Sequence, residues 1–543
     1  MQPMRLETGP ERATGAARAL RIVEISTEQK EALRVVPPPA RLEPAAEPYR
    51  AYRPRPFSRE ERDRVTVLFG GLHWRAERVL QGAMERLGYR TRVLPTATRE
   101  DLLAGRELAD VGQCSPTSFT TGNLANFLRS EARRVGADRV VDEYIYVTAG
   151  ACGACRFGQY HQSYELALRN LGLEAFRMFL LDQGLGQSEK AGGGLELDLP
   201  FVLGAIWAVM VTDVLQDLEY QTRPYECEAG ATDRASREAV ERLYEAFRRR
   251  PVPGKKLGYA AWHLATGYFV RALREVKPLY DAIEVDRTRV RPLVKITGEF
   301  YLQTVEGDPN YNIHRWLEAE GAEVYPAAVT IWLDYLLREA AQREEDQAGL
   351  RRGAALRYRG LRVAQRLLRW SYERMRRALG GVPRSLPDQY ELRALAAPYY
   401  HAQLSGGEGD MLVGKALWAH LGRKAHMICE LSPYACMPNT MSVGAMAAVT
   451  GRYPDLLYAP LEMKGDAEVH ALSRCQMILT EAKRRAQREF EEVLARSRLQ
   501  PGQLAAALER HAELRRATVP LPHRGVAGTA ANLVLEVAAR GLA

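Results

Sequence analysis

Residues 140–172 read "VVDEYIYVTAGACGACRFGQYHQSYELALRNLG". The first eleven residues are β-branched and aromatic and predict a strand. A Gly- and Cys-rich turn follows. "YHQSYELALRNLG" then has helical spacing and stops at Gly172. Strand, turn and helix recur on both sides of this stretch. "VTVLFG", "RTRVLP" and "AFRMFLL" read as strands, and "AERVLQGAMERLGY" and "TSFTTGNLANFLRSEARRV" as helices. Such alternation implies a parallel sheet covered on both faces.

The same grammar returns after Pro292. "LVKITGEF", "AEVYPAAV", "HMICELSP" and "LLYAPLEM" are strand-like, with helices between them. The expected fold class is therefore α/β, with two flavodoxin- or Rossmann-like parallel-sheet lobes and helical insertions. The expected organisation is a disordered Pro/Arg-rich arm over 1–60, lobe 1 over 61–195 and a helical segment over 196–290. Lobe 2 takes 291–345 and 401–498, interrupted by a basic helical insertion over 346–400. A loosely attached helical tail occupies 499–543.

Length and composition set the frame. At 543 residues the chain exceeds one ordinary core, and 46% apolar with 26% charged residues is a globular balance. The net charge is +9, with much of the excess in the first sixty and last fifty residues. That distribution suits an acidic substrate as well as it suits nucleic acid, and a nucleic-acid partner is not expected. The N-terminus has no apolar h-region. The most hydrophobic run, Leu199 to Leu215, is short for a bilayer and is read as a buried helix. The expected setting is cytoplasmic, with no membrane partner. Seven cysteines, an odd number, then argue against a disulfide framework.

Three cysteines stand out by position. "GQCSPTSF" and "YACMPNTM" place Cys114 and Cys436 two residues before a proline that opens a helix. Proline is favourable in a first helical turn, where its missing N–H would go unpaired. Each thiol thus meets the positive end of a helix dipole, which favours a thiolate or an anionic metal cluster. In "CGACRFG", Cys155 follows a strand and Arg156 adds positive charge. All three are expected just after strand ends, where open α/β sheets bind ligands. Three converging thiolates suit a [4Fe–4S] cluster with one open iron or a zinc with an exchangeable ligand. Cys152 is a candidate fourth ligand. Cys227, Cys429 and Cys475 read as ordinary small apolar residues.

Two further stretches qualify. The polar loop "TGEFYLQTVEGDPNYN" (297–312) offers Glu299 and Glu306 as candidate catalytic residues, with Asp308 and Asn310 beside them. "LSGGEGDMLVGK" (404–415) departs from a phosphate-loop spacing, and the first strand is not followed by G-x-G-x-x-G. No ATP site is read in this chain. Gly406 and Gly407 are candidates to hold an anion or cofactor with their backbone N–H groups.

Four segments taken together resemble one family. They are "CGACRFGQYHQSYELALRNLG", "VKITGEFYLQTVEGDPNYNIHRWLEAEGAEV", "SGGEGDMLVGKALW" and "CELSPYACMPNTMS". They resemble the 2-hydroxyacyl-CoA dehydratase/benzoyl-CoA reductase superfamily, and within it the branch of CoA-dehydratase activase-related proteins, over about 65 to about 495. The resemblance implies two flavodoxin-like lobes with a [4Fe–4S] cluster in the crevice, held by Cys114, Cys155 and Cys436. It also implies a separate actin/heat-shock-type ATPase activator that supplies a low-potential electron. A CoA thioester substrate, and a second dehydratase-like subunit or a homodimer, complete the implied partners. In such dehydratases a ketyl radical forms from a 2-hydroxyacyl-CoA. A non-catalytic electron-transfer or accessory protein and a zinc-binding regulatory protein stand as alternatives.

Overall fold

The computed structural model describes residues 5–7, 21–23, 55–109, 112–150, 155–181, 194–196, 198–251, 256–404 and 406–542. The chain divides into two compact units, Met1–Arg53 and Pro54–Ala543. In the first, β1 (Arg5–Glu7) and β2 (Arg21–Val23) form an antiparallel pair with Leu6 opposite Ile22. Most of the arm expected over 1–60 lies outside the described residues.

The second unit carries two four-stranded parallel sheets. Lobe 1 contains β3 (Thr66–Phe69), β4 (Arg90–Val93), β5 (Tyr144–Ala149) and β6 (Arg177–Leu181), in the order β4-β3-β5-β6. Lobe 2 contains β7 (Leu293–Gly298), β8 (Glu323–Tyr325), β9 (Met427–Pro433) and β10 (Tyr458–Met463), in the order β10-β9-β7-β8. Numbered within its own lobe, each sheet runs 2-1-3-4, the order that opens the flavodoxin-type arrangement. The fold is α/β with two parallel-sheet lobes, as the strand–helix alternation implied. Every residue of β7 is buried, as expected of a central parallel strand covered on both faces.

Several boundaries shift. "VVDE" belongs to a helix, Ala137–Glu143, so β5 starts only at Tyr144. Lobe 1 begins before residue 61, because Phe57 is fully buried among Val65, Val67 and Phe179. The 297–312 stretch is not a plain loop. It holds a helix, Phe300–Thr304, and a short 3-10 turn, Asp308–Asn310. The tail is not loosely attached. Its helices Pro501–Arg510 and Thr529–Ala539 share a small core with Val493 and Leu494, and Arg287 donates to the carbonyls of Leu514 (3.2 Å) and Ala517 (2.9 Å).

The apolar run at 199–215 extends into the helix Leu199–Thr222. It is long and apolar enough to cross a membrane, yet most of it is buried inside the protein. Val79 and Ala83 of lobe 1 and Ile428 of lobe 2 join it in one hydrophobic core. Its Asp213 accepts the backbone N–H groups of Val329 (3.0 Å) and Thr330 (2.7 Å), so the buried carboxylate caps the helix Val329–Asp346.

Candidate functional site

The two lobes meet along the turns that carry the cysteines. Cys114 is the N-cap of the helix Ser115–Val135 and Cys436 that of Met437–Arg452, each with proline in the first turn. Neither thiol caps its helix by a side-chain hydrogen bond. Ser115 donates its N–H to the Tyr434 carbonyl (3.4 Å) and its hydroxyl to the Met463 carbonyl (2.9 Å). Those two bonds join the Cys114 turn of lobe 1 to the Cys436 turn and to the end of β10 in lobe 2. Arg106 adds a bridge to Asp466 and to the Lys464 carbonyl, both at 2.8 Å. In the Cys436 turn, Ala435 has φ +61°, a left-handed conformation that costs a non-glycine residue on the order of 1 kcal/mol.

Cys155 precedes the 3-10 turn Arg156–Gln159, which leads into the helix Tyr160–Asn170. The sequence reading placed all three cysteines directly after strands. That holds for Cys155 after β5 and for Cys436 after β9. It fails for Cys114, which follows the helix Arg99–Leu108 rather than β4. Arg156 does not stand guard over the thiol either. Its guanidinium donates to the Gly112 carbonyl, so it ties the Cys155 turn to the chain just ahead of Cys114. Cys152 lies outside the described residues.

The three thiols share one electrostatic neighbourhood. Burial pushes the Cys155 thiol up to about 11; Glu299 and Cys114 push the same way. Burial, then Glu299, then Cys114 and Cys155 raise Cys436. At Cys436, where a helix begins, burial outweighs the favourable helix N-terminus and the thiol pKa rises. Tyr160 belongs to the same cluster. Its hydroxyl lies 3.3 Å from the Cys114 sulfur, and its own pKa is raised by burial, Cys114 and Glu299. Tyr160 escaped the sequence reading, although it sits five residues beyond Cys155.

Glu299 stands at the end of β7 and caps the helix Phe300–Thr304 through the N–H groups of Tyr301 and Leu302, both at 3.0 Å. Burial lifts its pKa to about 7, with Glu408 adding to the effect. Glu306 plays a different part. Its carboxylate accepts from Arg75 at 2.7 Å, and Arg75 also binds Glu219. Burial pushes Glu306 up, but Arg75 outweighs it and the pKa falls. Glu306 is thus held in a buried charge network with Arg75 and Glu219.

Gly406 and Gly407 have φ of +129° and +57°. A Cβ on Gly407 would lie 2.7 Å from the Pro438 side chain, so this loop packs against the helix that Cys436 begins. Residues of both lobes, among them Gly70, Glu77, Thr120, Tyr146 and Tyr301, line a cavity of about 50 Å³. Glu77 accepts from the Leu72 N–H (3.0 Å), and burial raises its pKa to about 7.

Among the described residues, no group of three or more His, Cys, Asp and Glu side chains is placed to hold a metal ion. The buried Asn439 Nδ2 has no hydrogen-bond partner, and Asn439 sits three residues past Cys436. An orphaned N–H of this kind serves an anionic cluster sulfur. Cys429 and Cys475 are fully buried in the lobe 2 core, and Cys227 is exposed.

Fold and site together define a two-lobed α/β protein with a thiol-rich seam between its parallel sheets. A scan against protein-family models finds no match, and a search of curated proteins finds no significant similarity.

Proposed function

We propose that the chain is an iron–sulfur protein of the 2-hydroxyacyl-CoA dehydratase/benzoyl-CoA reductase type, working in the cytoplasm with a separate ATP-dependent activator. Cys114, Cys155 and Cys436 would hold a [4Fe–4S] cluster with one iron left open, and Cys152 stays a candidate fourth ligand. When bound, the cluster supplies one-electron chemistry at low potential. The observation that carries this reading is the sharing of one neighbourhood by three thiols, Glu299 and Tyr160 from both lobes. Glu299, with a pKa near 7, holds or releases a proton beside that centre. Tyr160 offers a hydroxyl to the Cys114 sulfur.

A second reading is that the chain relays electrons without turning over a thioester. Anaerobic isolation followed by metal analysis tests both readings at once. Brown protein with about four iron and four sulfide per chain is expected, and colourless protein with stoichiometric zinc would reject both. Turnover of 2-hydroxyacyl-CoA thioesters, with an ATPase activator present, then separates catalyst from relay.

A further inference from the structure

The helix Ala354–Ala378 buries one face, with Gln365, Leu368, Tyr372 and Met375 turned inward. Its outer face is not the solvated charged surface expected of a basic insertion. Leu356 is 75% exposed, Val363 51%, Leu367 38% and Trp370 48%. These positions are spaced by seven, four and three residues, so they form a single stripe. At 1.5 Å per residue the stripe runs about 21 Å. Leu350, 88% exposed, lies in the turn just before the helix. Large exposed apolar groups gathered in this way mark a contact surface.

Arginines border the stripe. Arg359 and Arg366 follow Leu356 and Val363 by three residues and run along one edge, and Arg351 and Arg352 precede the helix. Arg351 lies close enough to Glu344 to lower its pKa, whereas Arg352, Arg359 and Arg366 have no carboxylate in ion-pair distance among the described residues. Other arginines of the same helix are engaged: Arg357 with Glu344, Arg369 with Asp334, Arg376 and Arg377 with Glu373. The free cations therefore concentrate where the apolar side chains protrude.

The geometry points to peripheral docking of this helix on an anionic lipid surface. Apolar side chains on a convex ridge enter the headgroup–acyl boundary while arginines at their level meet phosphates. The chain's net charge of +9 works in the same direction. A second copy is disfavoured, because helix-to-helix pairing would bring the Arg359 and Arg366 rows together. Nucleic acid would leave Leu356, Val363 and Leu367 without a partner. This departs from the expectation of no membrane partner, which rested on spanning segments and leader sequences rather than on surface docking.

Vesicle flotation of the full chain tests it. The protein should float with vesicles of phosphatidylglycerol and phosphatidylcholine and stay behind with phosphatidylcholine alone. Arg359→Glu with Arg366→Glu, and separately Leu356→Gln with Val363→Gln, should each weaken flotation by at least about tenfold. All four side chains are at the surface, and unchanged circular dichroism and melting would confirm folding. Absence of flotation with anionic vesicles overturns the inference and is the result expected if an acidic protein covers the stripe. Equal flotation with neutral vesicles overturns it too. So does anionic binding that survives both pairs of substitutions, which would put the contact elsewhere on the chain.

Discussion

Ser115 donates its backbone N–H to the carbonyl of Tyr434 at 3.4 Å, and this bond joins the turn before one cysteine helix to the turn before the other. The residue after Cys114 and the residue two before Cys436 are thereby fixed to each other across the lobe boundary. The Ser115 hydroxyl adds a second tie, to Met463 at 2.9 Å. Replacing Ser115 by Ala removes the second bond, while the Met463 carbonyl keeps the Tyr434 N–H at 3.0 Å. A loss of about 1 kcal/mol in urea denaturation is expected. No change in the midpoint would mean that the hydroxyl bond does not help hold the seam.

Arg75 is fully buried and paired with Glu219 and Glu306, which makes it the centre of the charge network beneath the crevice. Arg75→Met leaves two carboxylates to be neutralised, with only Arg223 still beside Glu219. Loss of one partner from a buried ion pair costs roughly 3–5 kcal/mol. Equilibrium unfolding should show a loss of that size, and a change near zero would contradict the network's role.

Stability should fall as pH rises through the carboxyl window of the crevice. Burial raises Glu77 from 4.5 to about 7. Below about pH 4.5 the carboxyl is protonated in both the folded and the unfolded chain, and its contribution is complete. Between there and about pH 7 the unfolded chain releases the proton first, so stability declines; above pH 7 the contribution is gone. Glu77→Gln should flatten this decline in melting temperature against pH. Glu299 and Glu430, both raised to about 7 by burial, keep a residual slope. An unchanged slope in the variant would contradict the assignment.

The Cys155 thiol is half-buried, and burial raises its pKa to about 11. A shift of two units leaves about a hundredfold less thiolate near neutral pH. Iodoacetamide at pH 8 should label the exposed Cys227 first and Cys155 slowly, with the Cys155 rate still climbing as pH rises further. Peptide mapping that finds Cys155 labelled as fast as Cys227 would count against the buried, anion-crowded environment.

Much of the architecture is legible in residue types. β7 (LVKITG) and β9 (MICELSP) are mostly apolar and β-branched, with Lys295 and Glu430 as buried charged exceptions, which suits strands covered on both faces. The two C-x-P helix starts mark Cys114 and Cys436 because a first-turn proline is a local signal. What escaped depends on contacts distant in sequence. The helix Arg99–Leu108 carries its own start signal, a Thr98–Asp101 capping box, yet its first residues "TATRED" look like loop. Glu306 looked like an active-site acid in a polar loop, and only folding reveals Arg75, 231 residues earlier, as its partner. Tyr160 reads as an ordinary helix residue until Cys114 is placed 3.3 Å from its hydroxyl. The tail reads as loose because its anchor, Arg287, lies more than two hundred residues before the carbonyls it binds.

The central claim is that thiols from both lobes serve one inorganic centre, and counting iron in single-cysteine variants tests it most directly. Under strict anaerobiosis, Cys114→Ala, Cys155→Ala and Cys436→Ala should each lose the iron and sulfide that the unaltered chain retains. Cys475→Ala, a change in the lobe 2 core, should keep both. Full retention of iron in Cys436→Ala, or stoichiometric zinc in place of iron in the unaltered chain, would contradict the account.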